Sequence, residues 1–306
     1  MKDVLITGGA GKIGFELINT LLDSKYSITV LDLPSQESKK KLNQVSHKIK
    51  IIYGDVEDYN LVLDLVRKND IVIDYAGIMP PLADLNEQLT TSTNFIGCKN
   101  IVDAINAVNP NCVYIYASFI SVYGLTNSSK RLLSVKKGGN NPDDFYSVSL
   151  IRSENYIKEN VKNFIILRMP IVLTKFNYYV KYMKLNRNVD FITIDNFNAI
   201  VIQVMENKKL YGKTFNISGF KANSTVFLKN MYKYTGRLHL SRRNIYYGEY
   251  SDDDFINKYV DVDYDSIHDY FKSIKHPNFI KKVFNFPKYL ILKRKESKNK
   301  DENTKI

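Results

Sequence analysis

The sequence predicts a doubly wound α/β protein: a parallel sheet with helices on both faces, followed by a smaller, discontinuous C-terminal lobe. Three observations carry this expectation. Short apolar runs alternate with longer amphipathic segments, a glycine-rich turn joins the first run to the first helix, and the alternation becomes irregular after about residue 125. Strands that alternate with helices pair in parallel through right-handed crossovers, which places helices on both faces of the sheet.

Val4 to Thr7, Ile28 to Leu31, Ile49 to Tyr53, Ile71 to Tyr75 and Val113 to Ala117 read as buried strands, each a β-rich apolar run bounded by Gly, Asp or Asn. Between them, Ile13 to Leu22, Tyr59 to Val66 and Leu85 to Val108 carry helical spacing. A polar stretch rich in Gly and Asn, Asn127 to Asp144, precedes a helix expected over Phe145 to Asn160. Phe164 to Arg168 reads as a strand ended by Pro170, and Asn216 to Gly219 as one more core strand. The expected division is a larger domain over 1–170 with core returns near 190–219, a lobe from 171–189 and 220–287, and a basic tail over 288–306. Pro287 is expected to interrupt any helix there, and the chain to be disordered beyond Arg294.

Composition narrows the class. With 306 residues, 44% hydrophobic and 25% charged, the chain is neither fibrous nor disordered as a whole. Cys98 and Cys112 lie outside any CxxC setting, and His47, His239, His268 and His276 are scattered, so neither a disulfide framework nor a metal centre is expected. A cytoplasmic location fits, with no export or membrane-spanning segment visible. The formal charge is +12, but residues 271–306 hold eleven Lys/Arg against three acids, a net +8 in the last 36 residues. The body is nearly balanced, so nucleic acid is not expected as a partner.

The chemistry begins at Thr7-Gly8-Gly9-Ala10-Gly11-Lys12-Ile13-Gly14, between the first strand and first helix. Glycines at 8, 11 and 14 permit a tight turn, close approach of backbone amides to a pyrophosphate at the helix N-terminus, and close helix–strand packing. The second strand ends at Asp32, eighteen residues past Gly14, where a carboxylate can accept both hydroxyls of an adenosine ribose and repels a 2′-phosphate. The expected cofactor is therefore NAD rather than NADP.

These residues make the chain similar to the extended short-chain dehydrogenase/reductases, the NAD-dependent epimerase/dehydratase family, with a Rossmann-type NAD-binding domain. TGGAGKIG resembles the family's TGxxGxxG, and Gly54-Asp55-Val56 its GD(L/V), whose Asp meets adenine. Tyr75-Ala76-Gly77, Asn94-Phe95-Ile96-Gly97-Cys98-Lys99-Asn100 and Val122-Tyr123-Gly124 resemble three further elements in family order. The resemblance implies cofactor contacts at Gly8, Gly11, Lys12, Ile13, Gly14, Asp32, Asp55, Val56, Ala76, Gly77, Asn94, Ser118 and Tyr146. It also implies a nucleotide-linked or related sugar as substrate, and a homodimer through the helices holding Asn94 and Tyr146.

In the family a Tyr shuttles a proton, a Lys one helical turn later holds the nicotinamide ribose, and a Ser or Thr fixes the reacting oxygen. Tyr146 matches the Tyr, 24 residues after Val122, but Leu150 occupies the Lys position and Phe119 the Ser/Thr position. Arg152, about 240° round the helix from Tyr146, is no obvious substitute for that Lys. Ile171 and Val189 stand where the family has a substrate-binding Asn and Arg; Arg237, Arg242 and Arg243 are alternative sources of positive charge for a pyrophosphate, or a solvated loop. Two readings remain open: an epimerase/dehydratase-type enzyme with Tyr146 as a poorly assisted acid/base, or a catalytically silent NAD-binding regulator or scaffold. The apolar residues and lysines of the C-terminus likewise fit either a peripheral membrane contact or a last core helix with a soluble basic tail.

Overall fold

A computed structural model describes residues 1–128, 130–137, 140–174, 179–238, 245–251, 256–274 and 279–303. The strands of the main sheet are β1 (Lys2–Thr7), β2 (Tyr26–Asp32), β3 (Lys50–Tyr53), β4 (Ile71–Asp74), β5 (Val113–Phe119), β7 (Phe164–Met169) and β10 (Lys213–Asn216). They run parallel in the order β10-β7-β5-β4-β1-β2-β3. The chain winds outward from β1 through β2 and β3, then restarts on its other side with β4. The strand order therefore reverses between β1 and β4, and the crevice beyond their C-terminal ends is where open α/β sheets bind ligands.

Helices cover both faces. α1 (Lys12–Leu21) buries Gly14, Leu17, Ile18 and Leu21, a three-and-four spacing that makes one apolar stripe. It packs on the same face as α7 (Ile194–Val204), which contributes Phe197, Ile200 and Val201. The other face carries α3 (Tyr59–Val66), α5 (Gly97–Val108) and α6 (Phe145–Asn160), with Val62, Ile101, Leu150 and Ile157 in its core. A short α2 (Gln36–Leu42), capped by Ser35, follows β2.

Three sequence expectations need correction. The helix expected over Leu85 to Val108 is broken into α4 (Glu87–Thr91), a π-helical turn over Ser92–Ile96, and α5. The wide turn brings the Asn94 side chain onto the Ile78 backbone, which a regular helix would not favour. The core strand expected at Asn216 to Gly219 lies earlier, at Lys213–Asn216, because an edge strand tolerates the exposed Lys213 that hid its start. Nor does Pro287 interrupt the last helix, and the tail expected to be disordered is helical to Asn303. A proline removes one donor and crowds one carbonyl; where that carbonyl faces water the helix continues, and the Lys-rich sequence that follows favours it.

The smaller lobe contains a three-stranded sheet of β8 (Ile171–Leu173), β9 (Asn188–Thr193) and β11 (Phe220–Asn223), in the order β11-β9-β8. α8 (Ser224–Thr235), α9 (Ile267–Ser273) and α10 (Phe279–Asn303) complete it. Its centre is aromatic: the rings of Phe191 and Phe227 stack at 4.4 Å, and Tyr270 and Phe271 close on Phe227. A two-stranded link, β6 (Leu132–Leu133) with β12 (Glu249–Tyr250), borders the cleft between the lobe and the main sheet.

Candidate active site

The loop between β1 and α1 is shaped to receive a phosphate. Gly8 sits at φ +64°, and a Cβ there would lie 2.6 Å from the Tyr75 carbonyl oxygen. A Cβ on Gly14 would lie 2.6 Å from the Gly8 oxygen, and one on Gly11 at 2.9 Å from the same atom. Gly11 is the N-cap of α1 and has no side chain to satisfy the first amides; the first turn also contains no acid. The helix thus presents unpaired N–H groups and the positive end of its dipole. These features fit the pyrophosphate of NAD.

Asp32 stands at the end of β2, where its carboxylate accepts from the Ala10 N–H at 2.7 Å and the Ser38 hydroxyl at 2.9 Å. Lys41, a residue sequence reasoning missed, donates to the Ala10 and Gly11 carbonyls at 2.8 and 3.0 Å and rests over the Phe15 ring. Desolvation lowers its pKa despite the neighbouring Glu16, Glu37 and Asp32 carboxylates. Only its place in the Lys-rich stretch after Ser35 hinted at it.

The next predicted residues hold the loops of the crevice. The Ala76 N–H donates to Thr7 Oγ1 and Asp74 Oδ1, while Asp74 also binds the Tyr114 hydroxyl at 2.7 Å. Burial pushes the Asp74 carboxyl up, against the pull of those donors. Asn94 accepts from Ile78 N–H at 2.7 Å and donates to Ile78 O and Ser149 Oγ, so its amide organises the segment after Gly77. Asp55 accepts from Glu57 N–H, and Val56 is packed under Gly97.

Two clefts meet at the C-terminal edge of the sheet. The smaller runs past Lys12 and Ile13 at the start of α1; the larger, about 880 Å³ and open to solvent, is lined by Tyr146, Asp144, Asp190 and Tyr247 among others. Met79, Phe119 and Ile171 line both, so one apolar wall leads from the phosphate loop to Tyr146. Tyr146 lies in the first turn of α6, which Asp144 caps through the Ser147 N–H at 2.7 Å. Its ring is 6.4 Å from that of Phe119, which in turn meets Tyr247 edge-on. Leu150 is buried in the core behind it, and Arg152 lies over the Phe95 ring at 4.1 Å. No Lys or Arg is among the described residues that line the larger cleft.

The Ser118 side chain faces away from the cleft. Successive residues on a strand face opposite sides, so with Phe119 in the cleft, Ser118 turns inward and donates to Glu154 Oε1 at 2.7 Å. Glu154 also pairs with Arg168 through Nε at 2.9 Å and Nη2 at 2.6 Å, and with Lys158 at 2.9 Å. Burial alone would raise the Glu154 carboxyl, but Arg168, then Lys158 and Ser118, hold it below the ordinary range. This pair was missed, although Glu154 lies eight residues after Tyr146 on the same helix.

Two more groups near the cleft escaped the sequence. Asp190, next to Val189, is buried while accepting from Ser218 Oγ at 2.7 Å and Tyr250 N–H at 3.0 Å; burial pushes its pKa up to about 6. Arg187 lies 5.8 Å from the ring of the cleft residue Tyr246, and its Nε is buried without a hydrogen-bond partner. The earlier candidates Arg242 and Arg243 lie outside the described residues.

Known proteins agree with this arrangement. A dTDP-glucose 4,6-dehydratase from Mycolicibacterium smegmatis is 28% identical over 264 residues, 76% of this chain and 78% of that protein. A UDP-N-acetyl-alpha-D-glucosaminuronate decarboxylase from Bacillus cytotoxicus is 32% identical over 124 residues, 40% of this chain and 38% of that one. Among solved structures, a UDP-glucuronic acid 4-epimerase from Bacillus cereus, in complex with UDP-glucuronic acid and NAD, superposes with a TM-score of 0.73 at 19% identity. That match covers 89% of this chain and 99% of the other. The profile of one family spans residues 4–189, from β1 through the phosphate loop, Asp32 and Tyr146 into β9. With that span and the glycine cradle in agreement, the chain belongs to the NAD dependent epimerase/dehydratase family.

Proposed function

We propose that the protein is an NAD-using epimerase/dehydratase-type enzyme acting on a nucleotide-linked or related sugar, with Tyr146 as the proton-transferring residue. One observation carries the reading: the wall of Met79, Phe119 and Ile171 joins the α1 phosphate loop to the cleft that holds Tyr146. Gly8, Gly11 and Gly14 shape the loop for the pyrophosphate, Asp32 meets the adenosine ribose, and Lys12 and Ile13 border the path toward Tyr146. When bound, NAD supplies a hydride acceptor that can return the hydride to the sugar.

Tyr146, as its phenolate, takes the proton of a sugar hydroxyl as that carbon becomes a carbonyl, and the hydroxyl so formed returns it when the carbonyl is reduced. The aliphatic Leu150 cannot supply the charge that the family's Lys brings, so orientation by the cleft carries more of the catalysis. Phe119 and Tyr247 exclude water around the reacting carbon. The Arg187 guanidinium, beside the cleft residue Tyr246, supplies positive charge for the phosphates of a nucleotide-sugar, in place of the arginine absent at Val189.

The test is turnover of a panel of UDP- and dTDP-sugars by the wild type and by Tyr146→Phe, with NAD affinity measured separately. Loss of about 10²–10⁴ in kcat with NAD affinity within about twofold is expected. Equal turnover in the two proteins refutes the role of Tyr146.

A further inference from the structure

The last helix has two faces, and among the described residues its inner face is packed while its outer face is exposed. Its inner face docks on α8: the Tyr289 ring stacks on Tyr232 at 4.4 Å, the Tyr232 hydroxyl donates to Lys282 O, and Asn285 Nδ2 donates to Gly236 O. Leu292 is completely buried. The outer face is apolar and exposed, with Ile280 at 76%, Val283 at 59% and Phe284 at 82%. Phe286, Leu290 and Ile291 extend it, and all are at least 41% exposed. Positions 280, 283, 284, 287, 290 and 291 recur at three- and four-residue steps, so they form one stripe along the helix.

Lysines border this stripe on both sides. Lys281 and Lys288, seven residues apart, follow one edge; Lys282 and Lys293 lie toward the other. The chain from 271 to 306 carries eleven Lys/Arg against three acids. No helix among the described residues is long and apolar enough to cross a membrane. An apolar stripe with basic borders suits an interface that is apolar below and anionic around, with the side chains entering the headgroup boundary. A second copy of the chain suits it poorly, because facing stripes would bring two sets of lysines together.

We propose that the outer face of α10 docks the protein on an anionic lipid surface, with Ile280, Val283, Phe284 and Ile291 inserted and the flanking lysines against lipid headgroups. Docking leaves the cleft residues untouched, so this inference stands apart from the proposed reaction.

The experiment is flotation of the full chain with phosphatidylcholine vesicles, alone or with about one-third phosphatidylglycerol, at low and at about 0.5 M salt. The wild type floats with the anionic vesicles at low salt, less at high salt, and stays down with phosphatidylcholine. Phe284→Asp with Ile291→Asp, and separately Lys281→Glu with Lys288→Glu, each lower the bound fraction at least about tenfold. Circular dichroism and melting verify that these exposed substitutions leave the fold intact. Absence of wild-type flotation, or equal flotation of wild type and both variants, overturns the proposal. So does a wild-type dimer by light scattering that the Phe284/Ile291 variant splits without any lipid binding.

Discussion

The two ends of the cleft differ in what their side chains are free to do. At the phosphate loop, glycines leave amides open and Asp32, Ser38 and Lys41 organise polar groups around them. At the Tyr146 end, Phe119, Ile171 and Val189 line the cleft with Leu150 in the core behind it, and the Glu154–Arg168 ion pair is buried. In the proposed function, cofactor binding depends on the backbone shape that a few glycines permit. Chemistry at the sugar depends on side chains, which can be exchanged while the fold remains. In the proposed function, the cleft therefore keeps a glycine cradle beside Tyr146 as the proton-transferring residue.

The sharpest way to break this contrast is at Gly8. Gly8→Val places a branched side chain at φ +64° against the Tyr75 carbonyl, and NAD affinity, followed by calorimetric titration, is expected to fall by more than about a hundredfold. Retained affinity would show that the backbone cradle is not what holds the cofactor.

Glu154→Gln probes the sealed pair. It leaves the Arg168 guanidinium buried with a weakened partner, and a loss of about 3–5 kcal/mol, a fall in Tm on the order of 10 °C, is expected. The depressed Glu154 carboxyl contributes stability above the ordinary carboxylate range and loses it on acidification, so the wild type should approach the variant as pH falls below about 4. A Tm unchanged at neutral pH would mean that this layer does not support α6.

Arg187→Gln tests the sugar end directly. KM for the best nucleotide-sugar should rise roughly tenfold, with kcat within about twofold and NAD affinity unchanged, because a phosphate contact remote from the reacting carbon binds ground and transition states alike. A fall in kcat alone would place Arg187 in another role.

Asp190 gives the smallest effect. Its folded carboxyl holds a proton to about pH 6 against an ordinary value of 3.8, so its contribution to stability is complete below 3.8 and is lost as pH rises through about 6. Lys221 pulls against this rise and Glu249 adds to it. Melting of the wild type and Asp190→Asn between pH 4 and about 8 should show the variant gaining on the wild type across that window. Parallel curves would contradict a protonated buried carboxyl.

Much of the main sheet was legible because its strands are apolar on both sides: Val4, Leu5 and Ile6 are all buried, and such runs announce themselves. α3 and α6 matched their expected spans to the residue because Asp58 and Asp144 cap them visibly. The π-helical turn at Asn94 was hidden, since a widened turn leaves the periodicity of its flanks intact. β10 was misplaced because its exposed edge residues are polar. At the site, glycine spacing pointed to the loop and the family's motif order to Tyr146, whereas Lys41, Arg187 and Glu154 act through tertiary neighbours 20 or more residues away or through a buried ion pair. Sequence spacing marks a backbone requirement far better than a side chain's final partner.

The most direct test follows absorbance in the nicotinamide band after rapid mixing of the NAD-saturated protein with UDP- and dTDP-sugars, wild type beside Tyr146→Phe. The account predicts that at least one sugar produces a transient reduced-cofactor signal in the wild type and none in the variant. A wild type that binds NAD and shows no signal with any of them, or a variant with the same signal, would contradict it.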